Sequence, residues 1–221
     1  MSRTSTLYID LKRLARLDDA GLVIRLMMVC NDVSVANAKL GEAYHEQDPE
    51  QRDWGATVYF QRLEVSHMHE AMSIIEDVNS RPSMRGLLSR CSERCRTAFE
   101  VLASCLRGGA NSAKFKSHTI LRNTVGFHYG EKLVQKALLD RASTAKKPST
   151  TTTSNDVRKI RYKLADDILG TLMVHQIWGA HGAEMNDKLD EVLQFLDCLV
   201  RALLEFGGEF ITIYLRENAS L

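Results

Sequence analysis

The chain contains only three prolines, Pro49, Pro82 and Pro148, and each lies between long segments whose apolar residues recur every three or four positions. Proline belongs between helices because it lacks an amide donor and its ring clashes with the preceding helical turn. No segment alternates steadily between apolar and polar residues, as a half-buried strand would. The sequence therefore predicts an all-α fold: an antiparallel helical bundle with an extended central core and about seven to eight helices.

The spacing of apolar residues also sets the approximate bounds of the predicted helices. They are Tyr8–Arg16, Asp19–Glu46, Trp54–Val78, Met84–Arg107, a helix from about Ser112, Glu131–Arg141, Val157–Trp178 and Met185–Arg216. Gly108-Gly109 is predicted to end the fourth helix, and Asp156 to cap the seventh. Gly207-Gly208 lies inside the last helix, where glycine lowers helix propensity, and predicts a kink or a close helix crossing.

We expect a single domain over residues 1–221, because this length supports one hydrophobic core without disulfides or metals. The segment 143–155 has low complexity, is rich in serine and threonine, and lacks any periodicity. It is predicted to be a mobile loop within that domain rather than a linker between two domains.

Charge is distributed unevenly along the chain. The whole protein carries a net charge of +1, which argues against a global attraction to nucleic acid or membrane. Between Arg107 and Lys163, however, there are thirteen lysines and arginines and three acidic residues, a local charge of +10 that leaves −9 elsewhere. This asymmetry predicts a surface that faces a polyanion, although a solvated basic face without a partner has the same composition.

The five cysteines and the N-terminal sequence favour a cytoplasmic protein. Five is an odd number, and Met1–Asp10 lacks the apolar core of a secretory leader. The longest apolar stretch, Gly21–Cys30, is interrupted by Arg25 and is too short to span a bilayer. We therefore expect reduced thiols and no membrane partner.

Several residues could in principle form metal or cofactor sites, but the sequence pattern favours structural roles for them. Cys91 and Cys95 lie on the apolar stripe of the fourth helix and are predicted to pack as small apolar side chains. His67 and His69 are two residues apart, which points their rings in different directions on a helix and predicts surface histidines. No phosphate-binding glycine loop, dinucleotide fingerprint or nucleophile elbow occurs, so no metal and no cofactor is predicted.

One short motif, Arg122-Asn123 followed by His128, combines residue types that suit phosphate chemistry. Arginine holds two phosphate oxygens at once, and histidine exchanges protons near neutral pH. An ideal helix would turn Arg122 and His128 about 120° apart, so they converge only if the helix bends near Gly126 or two copies of the motif face each other. The alternative is a helix end at which Arg122 makes structural ion pairs and His128 caps or packs.

The Arg122-Asn123-x4-His128 pattern in an all-helical chain resembles the signature of HEPN-domain proteins, and Tyr129 after the histidine is a common neighbour in that family. The resemblance covers roughly residues 84–178. It implies a helical bundle that dimerises with the motif helices face to face and cleaves RNA without a metal. His128 would then act as general acid or base, Arg122 would stabilise the phosphate, and Asn123 would orient the substrate or His128.

The resemblance further implies RNA as substrate, a homodimer, and an antitoxin or other defence-system protein as a possible partner. Within the basic segment, Lys114, Lys116, Tyr129 and Lys132 are the residues predicted to bind RNA. The helices before residue 80 and after residue 180 exceed a minimal HEPN domain. A second hypothesis therefore stays open, in which the chain is a non-catalytic helical protein that binds RNA or regulates a partner.

Overall fold

The computed structural model of the protein describes residues 6–44, 54–121, 131–144, 162–172 and 184–220. Within these ranges the chain forms helices and no strand, and an isolated antiparallel bridge joins Ile9 to Ser220. The predicted all-α fold is therefore confirmed. The described helices are α1 (Leu11–Leu14), α2 (Ala20–Tyr44), α3 (Trp54–Ser80), α4 (Pro82–Leu88), α5 (Glu93–Ala103), α6 (Ser112–Leu121), α7 (Glu131–Thr144), α8 (Lys163–Thr171) and α9 (Glu184–Asn218).

The fourth predicted helix, Met84–Arg107, is wrong as a single element, because the structure divides it into α4 and α5. Ser92 caps α5: its Oγ accepts a hydrogen bond from the Cys95 amide at 3.2 Å. Glu209 of α9 holds this break, since its carboxylate accepts from the Ser92 amide at 2.5 Å and from the Ser92 Oγ at 2.6 Å. The apolar spacing continues across the break, because Leu87, Cys91 and Cys95 are all buried. The sequence pattern therefore does not indicate where α4 ends and α5 begins.

Several other predicted boundaries also shift. The fourth predicted helix was expected to end at Gly108-Gly109, but α5 ends at Ala103. The first helix is a single turn, α1, because Ile9 is paired with Ser220 and Asp10 caps the amides of Lys12 and Arg13. α7 continues through Thr144, so the first two residues of the predicted loop are helical, and residues 145–155 lie outside the described ranges.

The predicted seventh helix, Val157–Trp178, also begins later than expected. Tyr162 has φ −103° and ψ 69°, which is not helical, and α8 starts at Lys163. The predicted cap, Asp156, and the end of that helix lie outside the described residues.

The core is built around α2, α3 and α9. Arg25 Nη1 lies 3.1 Å from Asp77 Oδ2, and Asn37 Nδ2 donates a hydrogen bond to Glu64 Oε1 at 3.0 Å. Because the later residue of α2 contacts the earlier residue of α3, the two helices run antiparallel. α9 packs against α2 on one side and α5 on another. The largest fully buried side chains come mainly from these helices: Leu26, Met68, Ile75, Leu87, Leu102, Leu199, Leu203, Phe206 and Phe210. Burial of their apolar surface is the main source of stability for the bundle.

α9 crosses α2 closely at Gly207. A Cβ added to Gly207 would lie 2.5 Å from the Sγ of Cys30, whereas a Cβ on Gly208 would meet nothing within 4 Å. Of the two expectations for this glycine pair, the structure thus supports a close helix crossing, and Gly207 alone accounts for it.

These neighbouring glycines provide a matched pair of variants. Gly208→Ala should raise the free energy of unfolding by about 0.5–1 kcal/mol, because alanine favours the helix and has open space. Gly207→Ala should instead lower it by about 1–2 kcal/mol, because the new methyl group overlaps Cys30. Urea unfolding would measure both, and adding Cys30→Ala should recover most of the loss at Gly207. Equal effects at the two positions would contradict the close crossing.

By length and composition alone, Ala20–Glu42 of α2 is long and apolar enough to cross a membrane, and no other helix in the described ranges meets both criteria. This window is longer than the Gly21–Cys30 stretch considered from the sequence. Core helices of water-soluble proteins share such composition, and the inner side of α2 does pack in the core through Leu22, Leu26 and Val33.

Candidate functional site

The residues with the strongest sequence signal lie between two described helices. α6 ends at Leu121, directly before Arg122, and α7 begins at Glu131. Arg122, Asn123, His128 and Tyr129 all fall in residues 122–130, outside the described residues, so their predicted roles stay predictions. The described geometry is that of the two helices that lead into and out of this segment.

α6 is fixed against the core by Phe115 and Lys114. The buried Phe115 ring stacks on His69 of α3, with ring centroids 6.5 Å apart. Lys114 Nζ lies 3.1 Å from Glu191 Oε1 and 4.6 Å from the centroid of the Phe195 ring, both on α9. Lys114, one of the predicted RNA-binding lysines, therefore also ties α6 to α9.

The other two described lysines of the predicted RNA surface differ from Lys114. Lys116 on α6 and Lys132 on α7 are exposed, and neither forms an ion pair with any described residue. α7 is held through the buried Ala137 and through Arg141, whose guanidinium lies 3.9 Å from Asp167 of α8. Both helices beside residues 122–130 thus place a lysine ammonium group in solvent.

His67 and His69 are half-buried rather than fully on the surface, which corrects the sequence expectation. His67 Nδ1 lies 3.7 Å from Asp32 Oδ2 of α2. His69 is covered by its stacking contact with Phe115. Since the two rings contact different helices, they do not converge on a common ligand, as their spacing predicted.

A groove of about 730 Å³ lies between α5 and α9. Its charged residues are largely neutralised by each other: Arg94 pairs with Glu205, and Arg201 Nε lies 2.9 Å from Asp197. Glu93 adds a further acid to the lining. The groove has no excess of positive charge, so its electrostatics do not favour a phosphate ligand.

Cys91, Cys95 and Glu209 place three possible metal-ligand atoms within 4.8 Å of one another. Each group already has an internal partner. The thiols of Cys91 and Cys95 lie 3.6 and 3.7 Å from the carbonyl oxygens of Leu87 and Phe206, and Glu209 accepts both hydrogen bonds from Ser92. Burial raises the pKa of Cys95 to about 12, so the thiol form dominates at neutral pH. The contacts therefore favour a structural role in packing and capping.

Thiol reactivity should separate these buried cysteines from Cys198, which is exposed on α9. At pH 8, we expect Ellman's reagent to modify one thiol rapidly and Cys91 and Cys95 at least about 100-fold more slowly, because the thiolate is the reactive form. Burial also raises the pKa of Cys30, to about 11. Cys198→Ser should remove the rapid phase, and a rapid phase of several thiols would contradict the described packing.

Glu64 on α3 is a buried carboxylate that the sequence patterns did not predict. Glu64 is 2% exposed, and its Oε1 accepts a hydrogen bond from Asn37 Nδ2 at 3.0 Å. Burial raises the pKa of Glu64 to about 7; the Asn37 hydrogen bond opposes this shift, and the nearby Asp197 carboxylate adds to it. The sequence signal was available, because the face of α3 that carries Met68 continues four residues earlier at position 64.

No protein-family model, curated protein or solved structure matches this chain. The all-α architecture therefore rests on the helices themselves, and the HEPN resemblance rests on the motif in residues 122–130. A function for the chain has to be argued from its own residues.

Proposed function

We propose that this chain is a HEPN-like, metal-independent endoribonuclease whose catalytic residues are Arg122, Asn123 and His128. The observation that supports the proposal is the motif itself, Arg122-Asn123 followed by His128, inside the segment of charge +10. A defence or toxin–antitoxin system and a cytoplasmic location are part of the same proposal.

The reaction would be an internal transfer of a phosphoryl group. A ribose 2′-hydroxyl attacks the adjacent phosphorus, the bond to the 5′-oxygen breaks, and a 2′,3′-cyclic phosphate forms. His128 would take the hydroxyl proton or protonate the leaving oxygen, because imidazole exchanges protons near neutral pH. Arg122 would bind two phosphate oxygens and stabilise the charge that develops on them. Asn123 would position the substrate or His128.

Binding of the RNA backbone would extend over the two helices beside the motif. Lys116 and Lys132 are exposed and contribute charge that no described acid neutralises. Lys114 contributes less, since it already contacts Glu191 and Phe195. Such phosphate contacts release counterions, so RNA affinity should fall as salt concentration rises.

The direct test is an assay of the purified full-length chain on total RNA in the presence of EDTA. Cleavage that leaves 2′,3′-cyclic phosphate ends would support the proposal, because that product requires attack by the neighbouring hydroxyl. Absence of cleavage over a range of salt and pH would favour the second candidate function.

That second candidate is a non-catalytic helical protein that binds RNA or a regulatory partner. A specific feature favours it: Lys116 and Lys132 are exposed on α6 and α7 and could bind an RNA backbone without any catalytic residue. Phosphate contacts of this kind supply affinity without turnover. RNA binding without turnover, measured in the same preparation, would distinguish this function from the nuclease.

A further inference from the structure

The outer face of α2 carries a regular seam of exposed residues. Its members are spaced alternately by three and four positions, the spacing by which two helices pack in a coiled coil. All of them are exposed, and most are apolar or small. We call them the α2 seam: Gly21, Ile24, Met28, Asn31, Val35, Ala38 and Glu42. At 1.5 Å per residue the seam is about 30 Å long.

The seam is unusual because the opposite side of α2 is already buried. Leu22, Leu26 and Val33 face the core, so the helix is apolar on two sides. Only 39% of the most apolar window of α2 is buried within the protomer. A second apolar face that is left exposed along a long helix is typical of an interaction surface, which implies a partner over the seam.

We propose that the α2 seam is covered by the α2 seam of a second copy of this chain, in an antiparallel pair related by a two-fold axis at Asn31. The sequence of the seam supports this occupant because it is nearly symmetric about its centre. Apolar residues lie three and seven positions before Asn31 and four and seven positions after it. A two-fold interface requires this self-complementarity, because the same patch must serve on both partners.

In the antiparallel arrangement, Met28 of one protomer faces Val35 of its partner, and Ile24 faces Ala38. Asn31 lies on the axis, where the two amides can donate to and accept from each other. A single polar residue in an apolar seam fixes its register, because any shift would bury the amides without partners. Gly21 and Glu42 meet at each end, where the seam returns to solvent.

The charges beside the seam argue against a lipid surface as the occupant. Helices that lie on anionic membranes carry lysine and arginine that are available to the headgroups. Arg25 is instead bonded to Asp77 and Ser73, and the Lys39 Nζ lies 2.6 Å from Glu42. The pairing is also independent of the proposed nuclease, since it uses no residue of the 122–130 segment or of the helices beside it.

Sedimentation of the full-length chain at several concentrations would test the pairing. Wild type should be dimeric at micromolar concentration, and Met28→Glu with Val35→Glu should weaken the dimer at least about 100-fold, because it places like charges face to face in an apolar seam. Leu139→Glu on α7 is the matched control, since Leu139 is 61% exposed and should tolerate the charge. A wild type that stays monomeric, or a dimer that survives the double substitution, would overturn the proposal.

Two further experiments fix the geometry. The double variant Met28→Glu, Val35→Glu mixed with the double variant Met28→Lys, Val35→Lys should form a mixed dimer, because opposite charges then face each other. In a Cys198→Ser background, Asn31→Cys should form an oxidised disulfide dimer, whereas Glu42→Cys should not, since the two copies of residue 42 lie about 33 Å apart. Cross-linking at Glu42→Cys alone would overturn the antiparallel arrangement. Wild type that binds lipid vesicles through the seam, and shows no dimer, would identify a membrane as the occupant instead.

Discussion

Replacing His128 with alanine is expected to reduce RNA cleavage by about 10²- to 10⁴-fold while the helices remain folded. The reduction follows from loss of the proton donor or acceptor, a contribution of that size in general acid–base catalysis. Arg122→Ala should cost a comparable factor, because the charge developing on the phosphate would lose its guanidinium partner. Initial cleavage rates of a labelled RNA, with circular dichroism to verify folding, would measure both effects.

His67→Ala is the matched control for the loss of a histidine. His67 is half-buried on α3 and contacts Asp32 rather than any residue beside the motif, so cleavage should change by less than about twofold. A His128→Ala variant that cleaves as well as wild type would remove His128 from the mechanism. Equal losses in both histidine variants would point to a general effect on the fold.

Glu64→Gln is expected to stabilise the protein by about 3 kcal/mol at pH 8 and to have little effect near pH 4.5. Burial raises the pKa of Glu64 from its ordinary value of 4.5 to about 7, so between these values the folded state binds more protons than the unfolded state. Stability therefore falls as pH rises through this interval, and the full penalty is present above about pH 7. Glutamine keeps the acceptor for Asn37 and cannot ionise.

Urea unfolding at pH 5 and pH 8 would measure this effect. The matched control is Glu76→Gln, since Glu76 lies on the same helix and is exposed. We expect that control to change the free energy of unfolding by less than about 0.5 kcal/mol at either pH. A pH dependence in Glu64→Gln as steep as in wild type would show that Glu64 does not ionise in this interval.

Local patterns in the sequence predicted most of the helices, because each is specified by residues three and four positions apart. α2, α3 and α9 end within a few residues of their predicted bounds. The break between α4 and α5 could not be predicted in this way. Glu209, which bonds Ser92 and holds that break, is 117 positions further along the chain, and local periodicity contains no information about it.

For the candidate site, too, local patterns could be predicted from the sequence and contacts between distant residues could not. The motif Arg122-Asn123…His128 is a local pattern and was found from the sequence, whereas the partner of Lys114 on α9 was not, because Glu191 is distant in the chain. Glu64 is the opposite case. The apolar spacing of α3 places Glu64 on the buried face. It was not predicted to be buried because charged residues are seldom fully buried and because its partner, Asn37, lies on another helix.

The pairing of Ile9 with Ser220 bears on the order in which the chain folds. The bridge, together with the hydrogen bond from the Asp10 amide to the Ala219 carbonyl at 2.8 Å, joins residues separated by almost the full length of the chain. Closing so long a loop has the largest entropy cost of any contact in the fold, whereas α2 and α3 close only a short one. α1 should therefore dock last, after α9 is in place, and should be the first element to detach on unfolding.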